Sequence, residues 1–102
     1  MINLSPIEVD GHTVLGVEVK LPKTTLLVIT TDKGYIMCGA LDVKLLNEHL
    51  SDREIVAARA LGVRSLEQLL SAPLESVTYT AEEMGIYAGM PGKEAILKMI
   101  ES

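Results

Sequence analysis

The sequence has no tryptophan, no phenylalanine and one cysteine, Cys38. With only three tyrosines as well, its core must be packed from Leu, Ile, Val, Ala and five Met. A single cysteine excludes an intramolecular disulfide and a cysteine-based zinc site within one chain. A lone apolar-flanked thiol suits a reducing cytoplasm, which is the expected location. Basic residues are also scarce: nine Lys and Arg stand against fourteen Asp and Glu, a formal net charge of −5. They are scattered singly, which argues against a general nucleic-acid surface and against an anionic membrane as partner. A local basic pocket stays open. Wholly apolar runs reach only four residues, as at 26–29, far short of the ~20 needed to span a bilayer. Glu8, Asp10 and Glu18 fall in the first twenty residues, so no ordinary secretory signal is expected.

What is present is aliphatic. Hydrophobic residues make up 48 % of the 102 positions, enough for one modest core and one domain over 1–102. Residues 2–9 alternate imperfectly around Pro6 and read as an edge or bent strand. Asp10-Gly11 signals a tight turn into a second alternating strand at 12–21, a hairpin. Residues 24–31 are β-branched and apolar, and 35–40 carry no charge; both read as inner strands. From Asp42, a plausible N-cap, Val43, Leu45, Leu46, His49 and Leu50 recur at helical spacing. Ser51-Asp52-Arg53-Glu54 matches a capping box, yet residues 55–60 read equally as a buried strand. Two more capping boxes begin at Ser65 and Thr80, and a last helix runs from Lys93 to Ile100. Residues 74–79 read as a link or short strand. The expected fold is α/β of the α+β type: a mixed sheet of N-terminal antiparallel strands followed by a right-handed βαβ unit, with helices covering one face.

Three stretches, 34–43 (GYIMCGALDV), 62–70 (GVRSLEQLL) and 85–95 (GIYAGMPGKEA), resemble the YunC-like proteins, a bacterial and archaeal family of unknown function. The resemblance spans essentially the whole chain. It implies a β-rich N-terminal region that mediates tetramer formation, here residues 1–21 ahead of an α/β core at 24–102. It also tips residues 55–60 towards a strand. It brings no catalytic residues with it.

The residues themselves offer few sites. Cys38, beside Gly39 at the end of an inner strand, is either a nucleophile or a small buried hydrophobe, the commoner case. His12 and His49 lack metal-ligand spacing, and neither a metal nor a cofactor is expected. Gly85, Gly89, Gly92 and Lys93 fail the phosphate-loop spacing and read as helix punctuation. Arg59, a charge in an apolar segment, needs a carboxylate or a ligand anion. Cys38, Gly39, Asp42 and Arg59 therefore define the candidate ligand crevice, with an Arg59–Asp42 ion pair as the plainer alternative. Three functions compete: an oligomeric module binding a small ligand or a protein, a small enzyme using Cys38 or Asp42 with Arg59 near a subunit interface, and a purely structural subunit.

Overall fold

The computed structural model describes residues 1–39, 43–48 and 53–101. Strands β1 (Ile2–Val9), β2 (His12–Leu21), β3 (Thr24–Thr30) and β4 (Gly34–Met37) run as an antiparallel meander. Helix α1 (Val43–Glu48) then crosses to β5 (Val56–Arg59), which pairs parallel to β4. Helix α2 (Leu66–Ser71), strand β6 (Ser76–Val77) and helices α3 (Tyr79–Glu83) and α4 (Gly92–Glu101) complete the order. The strands lie side by side in sequence order, β1 through β6, in one sheet. The mixed sheet and its central β3 and β4 are as the sequence leads one to expect, and within 55–60, where the residues alone left helix and strand open, stands the strand that the family resemblance favours.

The turns explain the meander. Asp10 and Gly11 both have positive φ (48° and 84°), the I′ geometry whose twist matches a two-residue hairpin. Between β2 and β3, Pro22 is followed by Lys23 at φ 65°, a type II pattern filled by a non-glycine residue. Pro6 is placed where it harms least. Met1 and Lys20 exchange both backbone bonds (2.9 and 3.2 Å), so with the register Ile2↔Val19 the odd residues of β1 bond to β2. The even residues, Pro6 among them, turn their backbone groups away from the sheet. Proline's missing N–H therefore costs no ladder bond.

Leu27 and Ile29 of β3, Ile36 of β4 and Ala58 of β5 are fully buried with Leu69, Ile96 and Met99. The face they share is packed by α2 and α4. Ala95, Ile96 and Met99 supply the buried stripe of α4, and Ser65 caps α2 by accepting from the Gln68 amide at 3.1 Å. The third helix departs from expectation. Its cap is Thr78, two residues before the capping box begun at Thr80, and Tyr79 is already helical. Thr78 is fixed there by other bonds. Its Oγ1 donates to the Ile55 carbonyl (2.7 Å) and accepts from the amides of Ala57 (3.2 Å) and Ala81 (3.3 Å).

Gly92 is a close-approach residue. A Cβ there would overlap the Leu69 carbonyl oxygen and crowd Ile36 Cδ1, and its amide donates to Ala72 O at 3.1 Å. The start of α4 is thus pressed against the end of α2, and Lys93 pairs with Asp10 at 3.2 Å. Gly92→Ala should force α4 off the sheet and lower stability by about 1–3 kcal/mol. Urea unfolding with an unchanged m-value checks this.

Candidate functional site

Two of the residues proposed from the sequence, Cys38 and Arg59, lie on opposite faces of the sheet. Cys38 is buried in the core cluster; its amide donates to Leu27 O (3.1 Å) and its Sγ accepts from Leu27 N–H (3.5 Å). Gly39 is exposed, and an added Cβ would meet only Leu61 Cδ2, at 3.1 Å. Asp42 and His49 lie outside the described residues. Arg59 pairs across the sheet with Met37, so the two share a face. The next residue, Cys38, points the other way, into the core. Thiol and guanidinium therefore do not converge.

Arg59 meets a carboxylate that sequence reading missed. Its Nε (2.9 Å) and Nη2 (2.6 Å) both donate to Oε1 of Glu75, and the Ser76 hydroxyl donates to the same oxygen at 2.7 Å. The Glu75 amide in turn bonds Arg59 O at 2.7 Å. Glu75 stands just ahead of β6, too short a strand to announce itself by alternation. Beside this pair is a groove of about 250 Å³ lined by Val43, Asn47 and Glu48 of α1 with Arg59, Ser76, Val77 and Tyr79. Asn47, also unforeseen, anchors its wall: Oδ1 accepts from the Tyr79 amide (2.8 Å) and Nδ2 donates to Val77 O (3.5 Å).

A larger cleft of about 540 Å³ lies at the other end of the sheet. His12, Thr13, Asp32 and Lys33 supply polar walls, while Met99 and Ile100 of α4 supply apolar ones. Among the described residues no three His, Cys, Asp or Glu side chains are grouped to hold a metal ion. Nor is any described helix long and apolar enough to cross a membrane.

The broadest feature is a sheet face. Cross-strand rows Ile2–Val19–Leu26 and Leu4–Val17–Val28–Met37 place apolar side chains opposite the side packed by α2 and α4. Ile2 and Leu4 are 65 % and 63 % exposed, and Leu15 and Leu21 lie open beside them. On β1 to β3 the one charged side chain of this face is Glu8, at the hairpin end, where it accepts from Thr13 Oγ1 at 2.6 Å.

The Glu75 carboxyl is held below its ordinary range by the Ser76 hydroxyl first and Arg59 second. A lowered folded pKa means a stabilising contribution present above the unfolded glutamate value and lost as pH falls through the folded one. In Glu75→Gln that increment should vanish. Thermal melts at stepped pH should show the variant losing less stability than the wild type on acidification below the usual glutamate range, and equal slopes would contradict the pairing.

Residues 37–99 match the family described as Domain of unknown function (DUF1805). The uncharacterized protein YunC of Bacillus subtilis (strain 168) is 60 % identical over 101 residues, covering 99 % of this chain and all of that one. The crystal structure of a protein of unknown function, TA1206 from Thermoplasma acidophilum, superposes with a TM-score of 0.86 at 30 % identity, over 97 % of this chain and 93 % of that one. With β1 to β6 and the helices matched in this way, the chain belongs to the DUF1805 family of YunC-like proteins.

Proposed function

We propose that this chain is a self-associating module, a cytoplasmic homo-oligomer assembled through residues 1–21. The observation that carries the reading is the open apolar face of β1 and β2. Its side chains are large, contiguous and free of charge until Glu8. Such a patch on a small chain marks an interaction surface. A second copy is a fitting occupant because an uncharged face meets its own twin without juxtaposing like charges, despite the net charge of −5. A tetramer is the form that family membership favours, and the free, buried Cys38 accords with a reducing compartment. Light scattering should find an oligomer at micromolar concentration. Leu4→Glu, which would bury a charge in the contact, should weaken association at least ~100-fold, an energy of about 3 kcal/mol. A monomeric wild type would overturn the reading.

A second reading places a small anion in the groove beside Arg59. It is favoured by the place of the guanidinium side chain, 26 % exposed on the wall of that groove. Phosphate and small carboxylates should then raise the melting temperature of the wild type in proportion to the logarithm of concentration. Arg59→Met should abolish the rise, and an equal response from both proteins would exclude the site.

A further inference from the structure

The outer edge of β1 is itself a pairing surface, and its proline dictates the register. The even residues Ile2, Leu4 and Glu8 direct both backbone N–H and C=O outward, whereas Pro6 directs only its carbonyl. In place of a hydrogen the pyrrolidine Cδ projects towards any strand that would lie alongside. No partner strand can therefore run past Pro6.

We propose that β1 adds antiparallel to β1 of a second copy, Ile2 opposite Leu4 and Leu4 opposite Ile2, about a twofold axis through Asn3. The assignment rests on the self-association argued above and adds where the edge contact lies.

The alternatives fail on chemistry. Shifting one step towards the hairpin puts Leu4 opposite Leu4 and Pro6 opposite Ile2. Ile2 then loses a donor and meets the ring. A further step pairs Pro6 with Leu4 and Glu8 with Ile2, repeating the clash twice and setting a carboxylate against an aliphatic side chain. Pairing beyond the proline alone sets Glu8 against its own twin, a like-charge contact. Shifting the other way leaves only Ile2 against Ile2. The Ile2–Leu4 register is the longest in which every outward donor and acceptor of the paired segment is met. It is isologous, as a twofold contact must be. It also joins the exposed Ile2 and Leu4 of the two copies on one face, so the apolar surface continues across the seam. A strand with an unmet backbone edge recruits another strand in this way.

The register makes Asn3 its own partner, at a non-hydrogen-bonded position where opposite Cα atoms stand ~4.5 Å apart, within disulfide reach. Ser5 faces Met1 of the other copy instead, and two Ser5 positions lie roughly 13 Å apart at strand spacing. The experiment is mild oxidation of full-length Asn3→Cys and Ser5→Cys, read on a non-reducing gel. Asn3→Cys should become mostly covalent dimer; Ser5→Cys and the wild type, whose Cys38 is buried, should stay single chains. Light scattering is run on the same samples. Oligomers without an Asn3 crosslink, or with equal crosslinking at Ser5, overturn the register and leave self-association standing. Monomers throughout overturn both.

Discussion

The parallel contact of β4 with β5 is the constraint on which the rest depends. Here the chain leaves the antiparallel meander and returns to the sheet in parallel, and the contact tolerates no side chain at its start. A Cβ on Gly34 would lie 2.5 Å from the Val56 carbonyl oxygen. Once β5 is seated, its two neighbours follow. Thr78 bonds to Ile55 and Ala57 and opens α3, while Arg59 reaches Glu75 and sets the groove wall. The Asn47 bonds then tie the crossover helix to the same region. Groove, cap and ion pair are consequences of one backbone pairing.

Much of the fold was legible because short-range chemistry and long-range structure agree. Asp10-Gly11, Ser65 and the stripe Ala95, Ile96, Met99 each announce a local conformation that packing keeps. The site was less legible, since its determinants are meetings across sequence. Arg59 declares a need for a carboxylate, but nothing near it names Glu75. Thr80 satisfies a capping pattern as well as Thr78 does; Thr78 prevails because its hydroxyl also serves two backbone groups of the β5 region. Gly92 with Lys93 imitates a phosphate loop, though the glycine answers to the Leu69 carbonyl. Cys38 and Arg59 sit at one end of adjacent strands, and only the pleat tells that they face apart.

The two halves of the chain carry different duties. Residues 37–99, matched by the family as a whole, contain the crossover, the helices and the groove. The meander before them carries the open face and the free edge, with Pro6 limiting how that edge is used. Ile7, Val9 and Val14 still join the core, so the meander is built into the fold and is no detachable arm.

The sequential order of the strands also fixes what a ribosome releases first. Each neighbour in the meander closes over a short turn, at small entropic cost, whereas β4 must wait for α1 before β5 can arrive. Residues 1–30 thus form a ribbon whose one side is apolar apart from Glu8 and three threonines, and whose other side stays partly bare until α2 and α4 are made. Nascent chains on neighbouring ribosomes present matching ribbons before either is complete. A proline that forbids all but the shortest edge contact protects such chains from zipping together while they are half made.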